Sequence, residues 1–262
     1  MRSSSFLMTA LILFIALSRP DVANATAIAN TEIFLTLRII LPPGVSMSFV
    51  TPLTAKAFAD ATNATSQSVI TPNGVAKADA GKIADNFAEG HGFASAVNIA
   101  NLNASASSHA NIPGTTTAQA LAKGTADIFS DDFIIIGGSG LAAVTFSADL
   151  SGSLDIFTDS FRGKAIADAI FALDVNGSSV LFDFEKLPLV EQLSVDGLNS
   201  SDEMVFSKNL VGTVMLPFNE HSSFFANLVT DLETDNQISE PSTVILMLSG
   251  LITLAFSGRR KV

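Results

Sequence analysis

The feature that most constrains the fold is a strict alternation of side-chain type with a period of two. Between Val144 and Ile156 every second residue is apolar or glycine, and the residues between them are serine, threonine or aspartate. Successive side chains of a strand point to opposite faces of a sheet, whereas a helix repeats every 3.6 residues. The segment therefore predicts a half-buried antiparallel strand, or two strands joined near Ser151–Ser153.

The same alternation recurs before favoured turns. From Lys164 to Val175 apolar residues again occupy alternate positions, and the hairpin dipeptide Asn176-Gly177 follows directly. Residues 128–140 predict a strand that runs into a glycine turn, and residues 196–218 predict several further short strands. No segment of helix length with a period of 3.6 residues separates them. This pattern predicts an all-β, antiparallel β-sandwich of the jelly-roll kind.

Residues 54–126 differ in composition, because they are rich in alanine, serine, threonine and asparagine. Alanine is the best helix former, so a helix competes here, but the alternation favours strands. Small side chains bury little area, so we expect a thin core in which alanine-lined strands pack against the sheet of larger residues. Asn111–Gly114 would serve as a connection. The alanines that keep the period of two are Ala55, Ala57, Ala59 and Ala61, and then Ala118, Ala120 and Ala122.

Both ends of the chain carry apolar runs. Arg2, an apolar stretch from Phe6 to Leu17, and Ala23-Asn24-Ala25 have the order of a secretory signal peptide, which predicts residues 1–25 as the signal with cleavage after Ala25. At the other end an uncharged run precedes three basic residues. Residues 243–257 predict a transmembrane helix of about 22 Å, short against a hydrocarbon core of about 30 Å. The exported domain would then be residues 26–238.

The C-terminal residues resemble the PEP-CTERM sorting signal of bacterial surface proteins. The resemblance covers residues 239–262, and Ser239 stands where the family has the first proline of Pro-Glu-Pro. It implies a precursor held transiently in the inner membrane, processing by an exosortase after passage through the secretion machinery, and a final place at the cell surface or outside the cell. An ordinary single-pass tail anchor is the alternative. The residues that carry the resemblance are Ser239, Glu240, Pro241, Ser242, Thr243, Arg259, Arg260 and Lys261.

Composition excludes several kinds of chemistry. The chain has no cysteine, tryptophan or tyrosine, so disulfides, thiolate metal sites and a cysteine nucleophile are excluded. Residues 26–240 contain nine basic and 24 acidic residues, which gives a net charge of 9 − 24 = −15. Such a surface repels nucleic acid, so none is expected as a partner.

Candidate sites are few. His91, His109 and His221 lack the spacing of paired metal ligands on a helix and are predicted to lie in loops. The segment 136–141 departs from the Gly-x-Ser-x-Gly nucleophile elbow and predicts a turn. No catalytic residue and no cofactor is expected. The weak calcium candidates are Asp174 with Asn176 and Ser178, and the acidic pairs Asp131-Asp132 and Asp202-Glu203.

Three functional classes follow from these observations. The first is an exported structural protein of the surface or extracellular matrix of a polysaccharide-producing bacterium, without enzymatic activity. The second is a secreted module that binds polysaccharide or a divalent ion, for which exopolysaccharide is the candidate partner. The third is a secreted hydrolase, which lacks a visible constellation of catalytic residues.

Overall fold

The computed structural model describes residues 26–81, 88–112, 118–159, 163–182 and 187–236. Within these ranges the chain is all-β and contains no helix, and its paired strands are antiparallel, as the alternation predicts. The described strands are β1 (Ala27–Ile40), β2 (Ser46–Phe49), β3 (Thr54–Ala61), β4 (Gln67–Pro72), β5 (Val75–Gly81), β6 (Ala88–Ser95), β7 (Leu102–Ile112), β8 (Ala118–Ile136), β9 (Leu141–Thr158), β10 (Lys164–Val175), β11 (Ser178–Ser179), β12 (Leu189–Asp196), β13 (Ser200–Pro217) and β14 (His221–Asn236).

The strands form two sheets that face each other. Sheet A has the order β13-β9-β1-β7-β6-β5, and sheet B has the order β11-β10-β14-β8-β3-β4, with β12 also paired to β10 and β2 to β8. The inward side chains of both sheets form one apolar core. A buried hydroxyl pair also joins the sheets, because Ser108 Oγ of β7 lies 2.7 Å from Thr230 Oγ1 of β14.

The core is thick at one side and thin at the other. Large side chains such as Phe133, Phe146 and Phe171 fill the thick part. In the thin part the backbones of the two sheets touch, since a Cβ on Gly124 of β8 would lie 2.1 Å from the His91 carbonyl oxygen of β6. Small residues therefore face small residues. The expectation that alanine strands would pack against the larger side chains is wrong, because only opposed alanine and glycine permit so close an approach.

Most predicted strands are confirmed, but their lengths differ. Residues 144–156 belong to the single strand β9, and the alanine-rich segments form strands of both sheets. The hairpin turn is confirmed at Asn176-Gly177, where both residues have positive φ, 52° and 71°. Residues 200–217 form one long strand, β13, instead of several short ones. Asn111 and Ile112 end β7, and residues 113 and 114 lie outside the described residues.

The first described strand begins, and the last described strand ends, at the same end of the two sheets. Ala27 of β1 pairs with Thr158 at the end of β9, and Lys164 at the start of β10 pairs with Asp235 of β14. Only residues 159–163 separate Thr158 from Lys164 in the chain. The start of β1 and the end of β14 therefore lie close to one end of the fold.

Candidate functional site

The outer face of sheet A carries the most varied set of chemical groups. A depression with a volume of about 350 Å³ lies on β5, β6 and β7. It forms because the short serine side chains of β7 lie beside taller side chains on β6 and β5. We call it the β5–β7 shelf and define it by its lining side chains, Lys77, Asp79, His91, Phe93, Ser105 and Ser107.

Asp79 organises the charged part of the shelf. The Nδ1–H of His91 donates to Asp79 Oδ1 at 2.8 Å, and Lys77 Nζ lies 3.1 Å from Asp79 Oδ2. The backbone N–H of Asp79, on the edge strand β5, donates to Gln67 Oε1 of β4 at 3.1 Å. Burial raises the pKa of the Asp79 carboxyl, but hydrogen bonds from His91 and Lys77 outweigh burial and leave this pKa below its usual value. The carboxylate therefore stays charged and fixes the imidazole.

Asp79, His91 and Ser107 lie directly opposite one another on three adjacent strands. This is the order of groups in a serine hydrolase triad. A hydrolase also needs free N–H groups that stabilise the oxyanion. Along this part of β7 each residue is paired to β1 on one side and β6 on the other, so the ladder occupies the backbone donors near Ser107. The shelf can therefore bind and orient polar groups, but the paired strands offer no oxyanion hole.

A second histidine lies in the next row of side chains. His109 of β7 is opposite Glu89 of β6. Partial burial lowers the pKa of His109, and the Glu89 carboxylate opposes part of this shift. Glu89 Oε1 also lies 3.9 Å from His91 Nε2.

The outer face of sheet B carries an acidic row. Asp168, Asp231, Lys123 and Asp60 lie opposite one another on adjacent strands, and Lys123 Nζ is 3.6 Å from Asp231 Oδ2. Burial raises the pKa of Asp231; Lys123 lowers it, and the Asp168 carboxylate adds to the rise. In the described part of the chain, Asp168 Oδ1 is buried without a hydrogen-bond partner.

The predicted loop histidines all lie in strands, so that prediction is wrong. His91 is in β6, His109 is in β7 and His221 is the first residue of β14. His221 Nδ1 lies 2.6 Å from Asp132 Oδ1. One carboxylate of the Asp131-Asp132 calcium candidate is therefore paired with a histidine. The turn predicted within residues 136–141 is confirmed between β8 and β9.

The calcium candidates lie in and beside the β10–β11 hairpin. Asp174 Oδ1 accepts from Ser179 Oγ at 2.8 Å, and Asn176 Oδ1 accepts from the Ser223 N–H at 2.8 Å. Across residues 26–236, apart from the undescribed gaps, no three acidic or histidine side chains are arranged to hold a metal ion. Calcium binding at Asp174 and Asn176 stays a prediction.

The predicted processing signals lie outside the described residues. This applies to Ala23 and Ala25 of the cleavage site and to the whole sorting segment 239–262. Within residues 26–236, leaving aside the gaps, the structure contains no helical segment with the length and hydropathy of a membrane span.

Comparison with known proteins gives no relative. No family model, curated protein sequence or solved structure matches this chain.

The β5–β7 shelf was not predicted from the alternation of residue types in the sequence. Alternation in residues 75–81 and 89–95 would have placed Lys77, Asp79, His91 and Phe93 on outer faces. The signal was present, but the pairing of β5 with β6 and of β6 with β7 was needed to bring them together.

Proposed function

We propose that this chain is an exported, exosortase-processed protein of the cell surface or extracellular matrix of a polysaccharide-producing bacterium. Its body would be a non-catalytic β-sandwich of the jelly-roll kind, between the signal peptide 1–25 and the sorting signal 239–262 with its membrane helix 243–257. The two facing antiparallel sheets support the sandwich, as does the repeated passage of the chain between them.

The observation that carries the proposal is the position in the chain of the first and last described strands, β1 and β14. β1 begins at Ala27, two residues after the predicted cleavage site, and Ala27 is already paired on both sides. β14 ends at Asn236, three residues before Ser239. The paired strands thus fill the interval between the two predicted signals. Both ends of this body lie at one end of the sheets, so the body can be tethered through its tail without disturbing β1.

In the described strands the backbone groups beside Ser107 are already paired to β1 and β6, which favours a binding or structural role over the hydrolase alternative. The net charge of −15 on residues 26–240 suits a soluble body that does not adhere to anionic lipid. The tail anchor remains the competing account of residues 239–262.

Changing Glu240 and Pro241 together to alanine separates the sorting signal from a plain anchor. The change leaves the apolar run and the basic residues intact, so a plain anchor would keep its behaviour. A sorting substrate should accumulate in the inner membrane and lose its released form. Fractionation of producing cells, followed by immunoblotting, measures the partition.

Glu203→Ala is the matched control, because it removes one exposed acidic side chain within the body. This variant should partition like the wild type. Wild-type release of the Glu240/Pro241 double variant would rule out sorting and leave a simple membrane anchor.

A further inference from the structure

Two phenylalanine rings are exposed on the outer face of sheet A, on strands that have a neighbour on both sides. Phe34 of β1 is 46% exposed and Phe93 of β6 is 36% exposed. Among the described residues neither ring belongs to an aromatic pair. Phe225, which is 40% exposed on sheet B, has Phe129 at 6.1 Å between ring centroids. Each ring therefore offers apolar area that a bound ligand could cover.

The two rings belong to one row that crosses the strands. Phe34 is opposite Ser105 of β7, Ser105 is opposite Phe93, and Phe93 is opposite Lys77 of β5. Two interstrand spacings place the rings about 10 Å apart on the same face. The small Ser105 between them leaves the inner flank of each ring open, so a chain laid across the strands would contact both.

A polar row runs beside the rings. Glu32, Ser107, His91 and Asp79 lie opposite one another, two residues further along each strand. This places them about 7 Å from the ring row. With Nδ1 bonded to Asp79, the His91 ring has Nε2 left as a second polar atom, while Lys77 and Ser107 offer donors. Fixed donors and acceptors beside exposed rings match a ligand that has apolar faces and a dense rim of hydroxyl groups.

The charges near the shelf select against an anionic ligand. Lys77 is paired with Asp79, and Glu32 and Glu89 flank the same face. Residues 26–240 together carry a net charge of −15. Among the described residues of the shelf the cation is Lys77, which is already paired with Asp79, so a polyanionic chain would meet net repulsion there.

We propose that the β5–β7 shelf, extended by Phe34, binds a neutral polysaccharide chain that lies across the strands. The apolar faces of two sugar rings contact Phe34 and Phe93, and their hydroxyl groups bond to Asp79, His91 and Ser107. The span between the phenyl rings is close to the length of a disaccharide unit. This proposal goes beyond the proposed function, which names no ligand, and it does not depend on processing of the tail.

Affinity electrophoresis of the full chain in mild detergent tests the proposal. Gels contain a soluble neutral β-glucan, a neutral galactomannan or, as an anionic probe, alginate. The shift in mobility with polymer concentration gives Kd. At least one neutral polymer should retard the chain, and alginate should not.

Removal of either ring supplies the residue-level test. Phe34→Ala and Phe93→Ala should each raise Kd about tenfold, as expected when one ring face loses its apolar contact. Phe225→Ala is the matched control on the other sheet and should leave Kd unchanged. Phe34→Leu and Phe93→Leu keep an apolar side chain on the strand, so they should fold and still bind weakly if the rings matter.

If neither neutral polymer retards the chain, the proposal is wrong. Wild-type Kd values in Phe34→Ala and Phe93→Ala would also overturn it. Retardation by alginate alone would also overturn it. If the chain forms a dimer that Phe34→Ala dissociates, the face is an interface between copies and the proposal is wrong. The Glu240/Pro241 double variant should bind like the wild type, so failure of sorting and failure of binding are distinguishable.

Discussion

At the scale of single residues, His109 shows how burial on a sheet face changes a titration. Its pKa lies below the usual 6.5 because burial disfavours the charged ring. Histidine in the unfolded chain, which has the usual pKa, therefore binds a proton more readily than His109 in the folded chain. The stability due to the neutral ring is therefore present above the unfolded pKa and is lost as pH falls towards the folded pKa.

We expect His109→Gln to flatten the dependence of stability on acidity. Between about pH 7.5 and 5, which brackets an ordinary histidine pKa, the wild type should lose more of its unfolding temperature than the variant. Thermal unfolding followed by circular dichroism measures both slopes. Glu89→Gln should lose more unfolding temperature than the wild type over the same pH range. The Glu89 carboxylate opposes the lowering of the His109 pKa, so its removal lowers that pKa further. Equal slopes in the wild type and His109→Gln would contradict this account.

His91 explains why sequence patterns placed the histidines wrongly. Gly90 and Gly92 flank it, and glycine next to a polar residue ordinarily indicates a turn. Here the glycines face inwards, where a Cβ on Gly90 would lie 2.3 Å from the Lys123 carbonyl oxygen. Glycine in this strand marks a close approach of two backbones. That requirement depends on β8, which is distant in sequence, so local pattern could not reveal it.

At the scale of strands, Gly124 tests the contact between the two sheets most sharply. Gly124→Ala should destabilise the fold by about 3 kcal/mol, the upper part of the usual range for overpacking. The added methyl group would meet the backbone oxygens of His91 and Ser107, at 2.1 and 2.7 Å, and neither can move without disturbing its ladder. Urea unfolding followed by far-ultraviolet dichroism measures the loss.

Ser207→Ala is the control for that change, since Ser207 is exposed on the outer face of sheet A. It should stay within about 0.5 kcal/mol of the wild type. A Gly124→Ala variant as stable as this control would mean that the two sheets are further apart than described.

Alternation predicted the strands well because each sheet has one buried face. Ala165, Phe171 and Val175 of β10 are all buried, as the period of two requires. Strand length was less predictable. β13 continues through Gly212, where a Cβ would lie 2.7 Å from the Leu181 carbonyl oxygen, so this glycine again accommodates a neighbouring segment. The shelf required cross-strand register, which alternation within one strand does not supply.

At the scale of the whole molecule, a packed all-β body lies between two signals that the sequence predicts. The first and last described strands, β1 and β14, lie within a few residues of the two predicted processing regions. Its outer faces carry polar and charged side chains together with exposed apolar ones, which include Phe34 and Phe93. An exported surface protein with a glycan-binding face is consistent with all of these features.

We infer that both predicted signals are removed and that the body between them reaches the outside of the cell. Intact mass spectrometry of the protein recovered from the outer face of producing cells tests it most directly. The account predicts a chain that begins at Thr26 and lacks the apolar run 243–257. A mass that corresponds to an intact Met1, or to a complete tail through Val262, would contradict it.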